Sequence, residues 1–63
     1  MCLSTIYKNE KAEDTILCRY VASIEAKGDA LVFTDVMGMV TQIGNARLVQ
    51  ADLTSGTVIF SAQ

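Results

Sequence analysis

Along most of this chain apolar and polar residues alternate in short runs separated by turn formers. That period-two pattern belongs to strands with one covered face. A first strand runs from Leu3 to Lys8, with Leu3, Thr5 and Tyr7 facing one way and Ser4, Ile6 and Lys8 the other. The polar stretch 9–14 (Asn-Glu-Lys-Ala-Glu-Asp) reads as an exposed loop, too short to hold a stable helix. Thr15 to Cys18 and Val21 to Ala26 follow as two strands, the latter with Ala22, Ile24 and Ala26 on one side. Lys27-Gly28-Asp29 is a tight turn in which Gly28 supplies the positive φ of a hairpin reversal. Ala30 to Asp35 returns, with Leu31 and Phe33 alternating against Val32 and Thr34. A turn over Asp35-Val36-Met37-Gly38 leads into a strand from Met39 to Ile43. Gly44-Asn45 reads as a bulge or bend, and Ala46 to Leu53 resumes with Val49, Ala51 and Leu53 in phase. Thr54-Ser55-Gly56 then turns the chain into a last strand, Thr57 to Ser61.

Short strands joined by tight turns predict an all-β fold. The expected architecture is one domain over residues 1–63, a small SH3-like or Sm-like barrel of about six short antiparallel strands.

Composition adds a tension to this picture. At 63 residues the chain can bury only about 60% of the surface its unfolded form exposes. A core of this size rarely supplies more than roughly 3–5 kcal/mol on its own. Yet 51% of the residues are hydrophobic and only 19% are charged, which predicts that apolar surface is covered by a second chain. Val36, Met37, Met39 and Val40, left over once the alternating strands have built a barrel core, are the candidates for such a homodimer face.

Charge and residue inventory then narrow the chemistry. The net charge is −2, and the five Lys and Arg are scattered at 8, 11, 19, 27 and 47, with no basic patch for nucleic acid. No apolar run approaches the roughly 20 residues of a membrane span, and the N-terminus lacks a signal-peptide pattern, so the protein reads as cytoplasmic. There is no His, hence no Ser-His or Cys-His nucleophile within the chain, and no glycine-rich phosphate loop. The expectation is a protein without catalytic activity.

Cys2 is the most informative position. Removal of Met1 before a small second residue leaves Cys2 with a free α-amine and a thiol, which together close a five-membered chelate on a metal ion. The amide nitrogen of Leu3 can deprotonate under a strongly binding ion and add a second ring. Planar nitrogen and thiolate donors suit Ni(II) or Cu(II) better than Mg or Ca. Read from position alone, Cys2 is also compatible with an incidental small residue at a terminus. Cys18, between Leu17 and Arg19, reads as a small hydrophobe, and Asp14, Asp29, Asp35 and Asp52 read as turn-capping carboxylates. Met37 and Met39 read as packing or interface residues rather than soft-metal ligands.

The Met1-Cys2 start stands at a characteristic distance from the central series Val21-Ala22-Ser23-Ile24-Glu25-Ala26-Lys27-Gly28-Asp29-Ala30-Leu31-Val32-Phe33-Thr34-Asp35-Val36-Met37-Gly38. This combination resembles the CooT family of small nickel-binding proteins, which begin Met-Cys and carry a similar Ile-Glu, Gly-Asp and Thr-Asp-hydrophobic-x-Gly series. The stretch from Ile43 to Phe60 resembles the family's C-terminal strands. The resemblance implies a β-barrel homodimer that binds Ni(II) through Cys2, with Leu3 contributing a backbone nitrogen at most. It also implies a client, carbon monoxide dehydrogenase, to which nickel is delivered. The chain departs from the family pattern in its sparse charge from Met39 to Gln50 and in carrying Cys18. The alternative is a small Sm-like or SH3-like interaction module binding RNA or a protein; the family has also been labelled RNA-binding, against which the acidic balance argues.

Overall fold

A computed structural model describes residues 3–63; Met1 and Cys2 lie outside the described residues. Six strands make one sheet: β1 (Ser4–Lys8), β2 (Ile16–Lys27), β3 (Ala30–Asp35), β4 (Val40–Ile43), β5 (Ala46–Asp52) and β6 (Thr57–Ala62). The spatial order is β4-β3-β2-β1-β6-β5. The all-β expectation holds, and the sheet is curled into an incompletely closed barrel.

The curl follows from connectivity. β4 and β5 are opposite edges of the sheet, yet Gly44 and Asn45 alone link them. Three residue steps from Ile43 to Ala46 reach at most about 11 Å, so the two edges must approach at this corner. The Ala46 amide donates to the Asp29 carbonyl at 2.9 Å, tying β5 to the β2–β3 turn. Of the two expected readings of Gly44-Asn45, the bend holds and the bulge does not: the pair is the edge-to-edge connection, and Asn45 takes the left-handed conformation at φ 52°.

Two further expectations are corrected. The segments Thr15 to Cys18 and Val21 to Ala26 belong to one twelve-residue strand, β2. Tyr20 sits at φ 58° between register irregularities on its β1 and β3 sides. These bulges break the alternation, which is why Cys18 and Val21, three apart, both turn toward the core. Nor is every pair antiparallel: β1 runs parallel to β6, with Thr5 opposite Thr57 and Ile6 opposite Val58. Parallel neighbours need a long crossover, which the four intervening strands provide.

The core lies inside the curl. Ile6, Val21, Leu31, Phe33, Val58 and Phe60 form one cluster, with Cys18, Ile43, Ala46 and Ala62 packed against it. The Phe33 and Phe60 rings meet at 5.6 Å between centroids and 49° between planes, a tilted contact that adds to area burial. Among the described residues no helix is long and apolar enough to cross a membrane.

Candidate metal site

The N-terminal strand begins where the chain's last turn ends. β1 enters the sheet beside β6, and the Thr5 amide donates to the Gly56 carbonyl at 2.8 Å. Gly56 has φ +69°, and a Cβ placed on it would stand 2.9 Å from the Leu3 carbonyl oxygen. Only a residue without a side chain lets the turn approach the strand this closely. The turn itself is held by Asp52, whose Oδ1 accepts from the Thr54 amide at 3.1 Å and the Ser55 amide at 3.2 Å. These bonds, led by the Ser55 amide, hold the Asp52 carboxyl below its ordinary range. The Ser55 hydroxyl donates to the buried Thr57 hydroxyl at 3.0 Å, joining the turn to the start of β6.

Of the two sequence-predicted donors, Leu3 is half-buried at this junction, and Cys2 lies outside the described residues. Among the described residues no three of Cys, Asp and Glu gather where they could hold a metal. Cys18 lies opposite Ile6, whereas Val21 lies opposite Ser4, so Cys18 is two residues, about 7 Å, further along the sheet than Ser4. It packs against the core, as a small hydrophobe does. Burial, and then the nearby Asp35 charge, push its thiol above the ordinary range, which makes it a poorer thiolate donor at neutral pH.

The acidic residues divide as turn chemistry predicts. Asp35 Oδ1 accepts from the Met37 and Met39 amides, each at 2.9 Å, while its backbone exchanges bonds with Met39 and Gly38. Asp35 thereby fixes the β3–β4 turn, which presents Met37 and Met39 to solvent, with Val36 and Val40 beside them also exposed. These methionines therefore take no part in the core. Asp29 contributes its carbonyl to the barrel closure and, with Asn45, Arg47 and Ser61, lines an open polar cleft there. Asp14 lines a second open cleft with Lys8 and Leu17.

The family model for the CO dehydrogenase accessory protein CooT matches residues 1–61. The chain belongs to the CooT family. As a CooT protein it falls among accessory factors for CO dehydrogenase, and the match takes in Met1 and Cys2 as well as all but the end of β6. Among curated proteins no relative is matched. The contact between Gly56 and Leu3 is the feature of this junction that sequence reasoning missed. Its local signal, a Thr-Ser-Gly turn, was visible, but its partner is more than fifty positions away in sequence.

Proposed function

We propose that this protein is a non-catalytic nickel carrier that binds Ni(II) through Cys2 and serves the maturation of CO dehydrogenase in the cytoplasm. The observation that carries the reading is the family match reaching through residue 2 to residue 61. Removal of Met1 gives Cys2 an α-amine and a thiolate on one residue, and the Leu3 amide nitrogen supplies a third donor in the same plane. Ni(II) accepts that mixed nitrogen and sulfur set readily. Nickel is cargo here: the donors are few and close to the chain end, so the ion can pass to a client by ligand exchange. Two copies form a homodimer through the exposed Val36, Met37, Met39 and Val40 surface, which accounts for a hydrophobic content that one small core does not absorb.

The proton balance gives the reading a signature. The α-amine, near pH 7.7–8.0, and the thiol, near pH 8.5, must both lose protons to bind. Affinity therefore rises with pH through neutrality and levels off above about pH 9. Calorimetric titration of Ni(II) into wild type and Cys2→Ser, with intact mass to establish the loss of Met1, is the test. Wild type binds and the variant does not. Equal binding by the two, or a wild type that keeps Met1 and still binds, overturns the proposal.

A further inference from the structure

We infer that the Asp52-to-Gly56 turn is the positioning device for the nickel-binding terminus, with Gly56 as its contact residue; the inference rests on the nickel reading above. Three independent features converge on this turn. Gly56 is bonded to the first strand through the Thr5 amide at 2.8 Å. Its missing Cβ leaves the space taken by the Leu3 carbonyl, 2.9 Å from where that atom would stand. The peptide carbonyl of Leu3 thus packs against the turn, on the same residue as the nitrogen that would ligate the metal. Asp52 is exposed and contributes nothing to the core, but holds two amides of the same turn. Such a carboxylate stiffens a loop rather than a fold.

A chelate built at a chain end has a cost that the turn removes. Ligands on a freely rotating terminus must be ordered when metal binds, and that ordering weakens affinity. Backbone bonded at Thr5 and packed against Gly56 at Leu3 is ordered before the ion arrives. The other glycines at positive φ provide an internal contrast. Gly28 has φ +61° and Gly38 has φ +86°, and neither has any atom within 4 Å of the position a Cβ would take. They serve turn conformation alone. Gly56 serves conformation and contact.

The contrast designs the experiment. Ni(II) titrations compare wild type, Gly56→Ala and Gly28→Ala, with amide exchange at Thr5 followed in each metal-free protein. Gly28→Ala suffers the same kind of left-handed strain without a neighbour to displace, and keeps wild-type affinity. Gly56→Ala loses about tenfold or more, the scale seen when outer-shell support of a metal ligand is removed, and its Thr5 amide exchanges faster. A second pair leaves Gly56 in place in case the alanine variant fails to fold. Asp52→Ala loosens the turn and lowers affinity, whereas Asp52→Asn makes the same charge change, keeps an acceptor for the two amides and retains affinity. Equal affinity in folded Gly56→Ala and Gly28→Ala overturns the positioning role, as does equal affinity in Asp52→Ala and Asp52→Asn. Nickel binding that survives Cys2→Ser overturns the nickel reading and this inference with it. Loss in Cys2→Ser with no loss in the turn variants overturns the inference alone.

Discussion

Met37→Glu should separate the proposed dimer, and the size of the effect follows from exposure. Met37 is 83% exposed, Met39 71%, Val40 62% and Val36 55%. Fully burying a side chain of this kind is worth about 1.5–3 kcal/mol, so each of these, already partly covered, has about 1–2 kcal/mol left to gain. Across a two-fold interface, where both copies contribute the same four, the gross gain is about 8–16 kcal/mol. Association costs about 4–15 kcal/mol in lost freedom and ordering. The two ranges overlap, so the extent of dimerisation is set by protein concentration. Met37→Glu removes about 1–2 kcal/mol from each copy. At 1.4 kcal/mol per tenfold, that raises Kd by roughly 30- to 700-fold, before repulsion between the two new carboxylates. The loop itself should survive, because the bonds that shape it run from the Met37 and Met39 amides to Asp35. Sedimentation equilibrium over a range of concentrations reads the Kd directly. Thermal melts supply a second measurement, since a dimerising protein shows a concentration-dependent Tm and the variant should not. A wild type that stays monomeric at every concentration, or a variant with unchanged Kd, would refute the assignment of this surface.

Three further outcomes test the fold and its titrating groups. Because burial raises the Cys18 thiol, the folded protein resists ionisation there while the unfolded chain does not; stability should fall as pH rises past about 8.5, and Cys18→Ala should flatten that limb of a pH series of urea melts. The Asp52 carboxyl is held low by the Ser55 and Thr54 amides, so its contribution is present above the ordinary carboxylate value of about 3.9 and is lost as pH falls through the lower folded value; Asp52→Asn should show a shallower acid limb. A double-mutant cycle on Phe33→Leu and Phe60→Leu should return a coupling of about 0.5–1.5 kcal/mol in urea unfolding, the worth of a tilted aromatic pair beyond its burial, and an additive result would contradict the observed ring contact.

Much of the fold could be read from alternation because strands are local. The β2–β3 turn at Gly28, the β3–β4 turn at Gly38 and the β5–β6 turn ending at Gly56 all fall where turn formers interrupt the pattern, each glycine at positive φ. What alternation did not give was anything that changes phase or closes over distance. The bulged passage at Tyr20 puts Cys18 and Val21 on one side with an odd spacing, so a continuous strand looks in sequence like two. The parallel β1–β6 pair joins the ends of the described chain, and period-two patterning is silent on which strands are neighbours. The length of the link between strands β4 and β5 did carry topological information. Two residues cannot cross an open sheet of six strands, and once the strand order is known, that link alone forces the curl.

The candidate site divides along the same line. Cys2 stands out through its own chemistry, because an N-terminal amine and a thiol on one residue would chelate a metal whatever the fold around them. The turn that packs against Leu3 becomes visible only with the parallel pairing. With β1 beside β6, the turn preceding β6 must lie next to the residues preceding β1, so a tight β5–β6 turn and an anchored N-terminal backbone are one structural event. An N-terminal strand paired on only one side would leave Leu3 free beyond the sheet edge. Here β1 is an interior strand, flanked by β2 and β6, although it begins only four residues into the chain. Placing the first strand inside the sheet puts a bonded neighbour on both sides of the strand that follows Leu3. A variant that frees β1 from β6 while leaving Cys2 at the N-terminus should, on the proposed reading, lose metal affinity, which separates a site held by the sheet from one that a short N-terminal peptide could reproduce.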